Sequence, residues 1–281
     1  MNKQNAKPLV TIVIPVYNGS NYLHESIQSA LAQTYQPIEI IVVNDGSNDV
    51  GKTEAIAQSY GDKIRYFTKE NGGVGSALNL AIREMKGAFF SWLSHDDLYL
   101  PHKIETQIKH LHSLSDQNVV LYSDFSLFSD HPDDGQIVKV PSMIKGRARY
   151  HIMMDSFVHG CSLLIPKAVF DRVGVFDERL RMTQDYDLWF RIAKHVHFEH
   201  CSHVLVQGRC HQDQTTHRLP HLAESECNAL KKNCVETILP SELEEAMGCS
   251  AALAYAHIAA KMWRCNLPLA AIAARKLVFR N

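Results

Sequence analysis

The feature that most restricts this chain is a rhythm near its start. Apolar runs rich in β-branched residues break off at clusters of Asn, Asp, Gly and Ser, and helical spacing follows. Residues 9–16 form the first such run, closed by Pro15, Tyr17, Asn18 and Gly19, and residues 21–33 then carry apolar side chains at helical spacing. Residues 38–43 form a second run ending in Asn44-Asp45-Gly46-Ser47, with a helical stretch over 53–60 and a short strand over 64–67. Asn71-Gly72-Gly73-Val74-Gly75 opens another helix over 76–85, and residues 88–93 are a fourth strand that stops at Ser94-His95-Asp96-Asp97. This alternation predicts an α/β fold, a Rossmann-type parallel sheet with helices on both faces and ligands held beyond the carboxyl ends of its strands. The Asn- and Asp-bearing loops all fall at that end.

The middle of the chain is less regular, with a loop over 130–135, an apolar strand over 161–165 and a helix over 185–193. Beyond residue 216 the composition turns Ala-rich and helix-favouring, interrupted by Pro240 and Pro268. A length of 281 residues suits a core of about 200 residues with an appendage, here 1–215 followed by a helical segment, 216–281. A net charge of −1 gives no reason to expect a nucleic-acid partner. Seven cysteines without a CxxC pair argue against a disulfide framework, so reduced thiols and a cytoplasmic setting are expected. The polar start, MNKQNAKP, leads into a strand with no apolar stretch long enough for a signal peptide or a membrane span. Membrane contact would then be peripheral, at the inner face, or the last helices would join copies of the chain. Leu269, Ile272, Lys276 and Phe279, with Arg275 and Arg280, make an amphipathic face suited to either, or to packing on the protein's own core.

Asp96 and Asp97 stand at the end of a buried strand, fixed by the backbone and exposed by the loop. Paired carboxylates there suit a hard divalent cation, Mn2+ or Mg2+, that bridges to nucleotide phosphates and neutralises a leaving diphosphate. The plainer alternative is a cap for a helix over 98–110.

The stretches Thr11-Ile12-Val13-Ile14-Pro15-Val16-Tyr17-Asn18, Val43-Asn44-Asp45-Gly46-Ser47, Gly75-Ser76-Ala77-Leu78-Asn79 and Leu93-Ser94-His95-Asp96-Asp97 occur in fixed order. Gly174-Val175-Phe176-Asp177-Glu178, Gln184-Asp185-Tyr186-Asp187-Leu188-Trp189 and Arg209-Cys210-His211 follow them. Together they resemble glycosyltransferase family 2, inverting enzymes of the GT-A fold, over roughly residues 9 to 215. The resemblance implies transfer of a sugar from a nucleotide diphosphate donor, most often UDP-linked, to an acceptor hydroxyl on a polysaccharide or glycolipid. It implies a donor site at Pro15, Tyr17, Asn18, Asp45, Asn79 and Asp96, with Tyr17 flanking the base and Asp45 bonding its ring edge. Asp97 and His211 would hold the metal. Asp185 would be the general base that deprotonates the acceptor, because inversion requires a carboxylate opposite the leaving diphosphate. Asp187 reads as first-turn helix charge. Two departures stand out: Ser94 where the family often has an acid, and Leu78 where it often has an arginine.

Three rival readings come from the same residues. Gly46-Ser47-Asn48-Asp49-Val50-Gly51-Lys52-Thr53 matches the phosphate-loop pattern of an NTPase, although Asp49 would put a carboxylate among amides meant for phosphate. Gly73-Val74-Gly75 lacks the third glycine of a dinucleotide-binding loop. His195, His197, His200, Cys201, His203, Cys210 and His211 could form the zinc site of a non-enzymatic module, but apolar residues alternate through most of that stretch as on a strand.

Overall fold

Strand β1 (Val10–Val16) is buried at every position, as expected of the central strand of a covered sheet. It pairs in parallel with β2 (Ile38–Asn44) on one side, and β3 (Arg65–Thr68) continues outward from β2. On its other side it pairs in parallel with β4 (Phe89–Trp92). The computed structural model describes residues 7–144, 146–155, 157–214, 218–263 and 267–278. Since β2 and β3 lie to one side of β1 and β4 to the other, the loops leaving β1 and β4 diverge and open a crevice, the usual place for a ligand in such sheets. The connections between these strands carry helices α1 (Leu23–Leu31), α2 (Lys52–Gln58) and α3 (Val74–Glu84). All three lie where apolar spacing placed them, within two residues or so at most ends.

A second sheet holds the other wall of the crevice. β5 (Leu98–Tyr99) leads into α4 (Lys103–Ser113), and β6 (Val119–Phe128) then carries β7 (Gln136–Val138) antiparallel at its edge. The expected helix over 98–110 thus begins only at Lys103. After α5 (Ala148–Met154), a 3-10 turn at Gly160–Ser162 and a two-residue β8 (Ile165–Pro166) stand where one strand over 161–165 was expected. β8 closes the first sheet antiparallel to β4. α6 (Lys167–Val173) and α7 (Gln184–Ile192) precede β9 (His197–Arg209), which runs parallel to β6 with a bulge at Asp124. The order of this sheet is β5-β9-β6-β7.

The helical C-terminal segment comprises α8 (Pro220–Thr237), α9 (Pro240–Met247), α10 (Ala251–Trp263) and α11 (Leu267–Val278). Pro240 opens α9, where its missing N–H costs nothing, and Gly248 (φ +66°) ends it in the left-handed region. Val235, Leu243, Tyr255 and Ile258 are buried in the same apolar core as the sheets. Glu242 of α9 pairs with Arg149 of α5 through contacts of 2.6 and 2.7 Å, and that guanidinium lies 4.0 Å from the ring of Phe190 on α7. Leu269, on the expected amphipathic face, is turned into the core; Phe279 and Arg280 lie outside the described residues. Among the described residues no helix is long and apolar enough to cross a membrane.

Candidate active site

Asn18 stands just after β1 at φ +50°, a conformation asparagine tolerates better than most residues. Its backbone N–H donates to Ser47 Oγ at 2.8 Å, and its side chain bonds Asn48 in both directions, at 2.7 and 2.8 Å, locking the loops after β1 and β2 together. Tyr17 is left 44% exposed beside them. Pro15 is buried within β1 opposite Val43, so it shapes the strand rather than offering a surface. Asp45 is 3% exposed, and its carboxylate accepts from the N–H groups of Gly72 (3.0 Å) and Gly73 (2.7 Å) and from Lys69 Nζ (2.9 Å). The carboxylate therefore fixes the 69–73 loop, where the resemblance put it on a base edge. Asn79 is also engaged within the protein. Its amide donates to the Phe176 carbonyl and to Glu178, and accepts from the Phe176 N–H, tying α3 to the 176–178 turn.

At the end of β4 the two neighbouring acids face different ways. Asp96 Oδ2 lies 3.0 Å from His211 Nε2, both side chains keep 14% of their surface exposed, and His211 Nδ1 is buried without a partner among the described residues. Asp97 turns inward. Its oxygens accept from the Arg209 N–H (3.0 Å) and the Cys161 thiol (3.2 Å), with His159 Nε2 at 3.9 Å. Burial, with the Asp96 charge beside it, pushes the Asp97 carboxyl up to about 7; burial takes His159 down to about 4 against the opposing Asp96 charge, and burial with the Asp97 charge lifts the Cys161 thiol well above its usual range. His211 thus lies on Asp96, while Asp97 turns to Arg209, Cys161 and His159. The ligand atoms of Asp97, His159 and Cys161 lie within 4.8 Å of one another, a set that could hold a metal ion. Arg209 sits between the rings of Tyr22 (4.2 Å) and Phe128 (4.7 Å) and donates to Glu25 and to the Asp96 carbonyl, while Tyr22 also flanks His211 with ring centroids 5.1 Å apart.

Asp185 lies in the first turn of α7, two residues after the N-cap Thr183, so it is not the cap. Its Oδ1 accepts from the Tyr186 N–H at 2.8 Å, and burial raises its carboxyl to about 6. Tyr186 donates to the Val158 carbonyl, next to His159, and a Cβ placed on Gly75 of α3 would lie 3.6 Å from Gln184 Cγ. Rings of Trp92, Phe176 and Trp189 pack in succession at 6.4 and 5.9 Å, joining β4 to α7. The helix that carries Asp185 is therefore braced against β4, α3 and the segment before His159. Asp187 pairs with Arg191 one turn on, which also donates to the carbonyls of Val173 and Val175. Glu226, in the middle of α8, accepts from the N–H groups of Arg181 (3.0 Å), Met182 (2.8 Å) and Thr183 (3.2 Å), the approach to α7. The local motifs give no sign of Tyr22, Glu25, His159, Cys161 or Glu226, since each meets its partner at the site, Arg209, Asp97 or the 181–183 amides, across a long span of sequence.

The rival motifs lead elsewhere. In the phosphate-loop look-alike, Asp49 accepts from the Thr53 N–H and hydroxyl at 3.0 and 2.6 Å, so the loop's own carboxylate takes the place a phosphate would need. In the histidine tract His197 faces Glu199, His200 faces Asp124, and His211 faces Asp96. Among the described residues these histidines form no three-ligand group.

A parallel sheet with Asp45, Asp96 and Asp97 just beyond its carboxyl ends, beside a second sheet whose strand β9 leads directly to His211, matches the GT-A class of glycosyltransferase folds. The model of glycosyl transferase family 2 matches residues 11–174, more than half of the chain, and the chain belongs to that family. An uncharacterized glycosyltransferase of Rickettsia felis is 47% identical over 241 residues, covering 84% of this chain and 40% of its own length. The chain thus spans less than half of that relative. Of solved structures, S. aureus TarS in complex with UDP-GlcNAc superposes with a TM-score of 0.65 at 16% identity, over 91% of this chain and 73% of that one. The mannosyltransferase PcManGT from Pyrobaculum calidifontis, in complex with GDP-Man and Mn2+, gives a TM-score of 0.60 at 18% identity, over 99% and 77%.

Proposed function

We propose that the chain transfers a sugar from a nucleoside diphosphate donor, UDP-linked by preference, to a hydroxyl of a polysaccharide or glycolipid, inverting the anomeric carbon. The observation that carries this reading is Asp185. It stands in the first turn of a helix packed against β4 and α3, and burial raises its carboxyl to about 6, where a base can work at physiological pH. The acceptor oxygen forms its bond to the anomeric carbon as the bond to the diphosphate breaks. Asp185 takes the acceptor proton, and the electron pair leaves with the diphosphate.

Tyr17 covers the base, and Asn18 with the loop set by Asp45 forms the wall beside it. The carboxylate–imidazole pair of Asp96 and His211 fits a hard divalent cation, whose bound charge would neutralise the departing diphosphate. The Asp97–His159–Cys161 set is more deeply buried and includes a thiol, a softer donor. In this reading Asp97 supports the site from behind by holding Arg209. That PcManGT is found in complex with GDP-Man and Mn2+, and TarS in complex with UDP-GlcNAc, favours both the cation and the donor class.

Transfer or hydrolysis measured over a panel of nucleotide sugars with Mn2+ or Mg2+ tests the proposal, with the anomer of the product read by NMR. Metal-dependent turnover of one donor with inversion is expected. No turnover of any donor, together with tightly bound stoichiometric zinc, would overturn it.

A further inference from the structure

We propose that Arg181 is a donor-binding residue whose guanidinium supplies positive charge to the diphosphate of the nucleotide sugar; this rests on the donor reading above. Several cations near the crevice are already engaged. Lys69 is held by Asp45 and the Glu70 carbonyl, Arg191 by Asp187 and two carbonyls, and Arg209 by Glu25 and the Asp96 carbonyl. Arg179 closes on Asp177 through contacts of 2.9 and 2.7 Å. Leu78, where the resemblance would have put an arginine, is fully buried and brings no charge.

Arg181 differs from these in having a guanidinium with no hydrogen-bond or ion-pair partner among the described residues. Its side chain lies across Gly73, where a Cβ would sit 2.8 Å from Nη1 and 3.6 Å from Cζ. Gly73, at φ +89°, belongs to the loop that Asp45 fixes at the crevice, so the absence of a side chain there is what lets the guanidinium lie against the loop. The root of the arginine is fixed as well. Glu226 spends its oxygens on the N–H groups of residues 181, 182 and 183, which leaves the guanidinium free and its backbone already ordered. A planar guanidinium pre-placed at the edge of an anion's site binds phosphate with two parallel hydrogen bonds and little ordering cost.

Titration calorimetry of UDP and of uridine, with Mn2+ present, on the wild type and on Arg181→Ala, Arg181→Lys and Lys52→Ala decides the matter. Lys52 is an exposed cation at the start of α2 and serves as control. Arg181→Ala should lose at least tenfold in UDP affinity, about 1.4 kcal/mol, with uridine binding changed less than twofold. Lysine should recover part of the loss, and Lys52→Ala should match the wild type. UDP affinity within twofold of wild type in Arg181→Ala, or an equal loss for uridine and UDP, would overturn the assignment while leaving the donor reading intact. A wild type that binds UDP, GDP and other nucleoside diphosphates no better than uridine would overturn both. Circular dichroism of each variant confirms that the comparison is between folded proteins.

Discussion

Replacing Asp185 by asparagine should yield an enzyme that is nearly inactive and more stable than the wild type. An aspartate in the unfolded chain ionises near 3.8, whereas burial raises Asp185 to about 6 in the folded one. Between those values the folded state holds the extra proton. Stability therefore falls as pH rises from about 4 to about 6, and the deficit persists at higher pH. Two pKa units correspond to at most about 3 kcal/mol, or roughly 1–2 kcal/mol allowing for the partial exposure of the residue. Asparagine has the same shape and never ionises, so at pH 7.5 the variant should melt a few degrees higher, the difference vanishing below about pH 4. Turnover should drop by about 10²- to 10⁴-fold with donor affinity unchanged, the usual contribution of a general base. In the wild type kcat/KM should climb with pH through about 6 as the carboxylate forms, and the variant should lack that limb. Asp187→Asn is the control, costing about 0.5 kcal/mol through its Arg191 pair and little turnover. A variant at Asp185 that keeps activity within tenfold, or keeps the acid limb, would remove this residue from the chemistry.

Asp96→Asn should weaken Mn2+ activation at least tenfold, whereas Asp97→Asn should leave it within about threefold, because Asp97 bonds inward to Arg209 and Cys161. Glu226→Ala should strip acceptors from the amides of residues 181–183, costing ~1–3 kcal/mol in urea denaturation and lowering kcat more than it raises donor KM. Lys103 is wholly buried, with its ammonium on Ser91 and the Leu163 carbonyl, and burial lowers it to about 7. Wild-type stability should therefore rise with pH from about 7 to about 10, by up to roughly 1.4 kcal/mol per unit, and Lys103→Met should flatten that slope; parallel curves for the two proteins would show that the lysine titrates as if exposed.

The first sheet was legible because each of its strands is a local signal, an apolar run stopped by turn residues. β1, β2 and β4 therefore fall within two residues of where periodicity placed them, and the loops carrying Asn18, Asp45 and Asp96 with them. The second sheet was not legible as a sheet. β6 pairs in parallel with β9 across a span in which α5, α6 and α7 are made, and no window of sequence contains both partners. The run at 161–165 shows the complementary failure: its apolar residues are buried as expected, but they pack as a turn and a brief bridge beside β4 and β6. Motifs located the acids at the site but not their bearings. Whether Asp96 or Asp97 meets His211 depends on β9 delivering Arg209 to one and His211 to the other, and that is a matter of register between distant strands.

The carboxylate of Glu226 has a consequence for the order in which the protein comes into being. Every acid assigned to the chemistry has been synthesised by residue 185, and every other named site residue by residue 211, so the sheets could close while the ribosome is still adding α8. The amides that lead into the Asp185 helix would then wait without acceptors until Glu226 emerges and docks. On this account the acids of the site are all made before the carboxylate that anchors the approach to their helix, and the last step of assembly is the docking of α8.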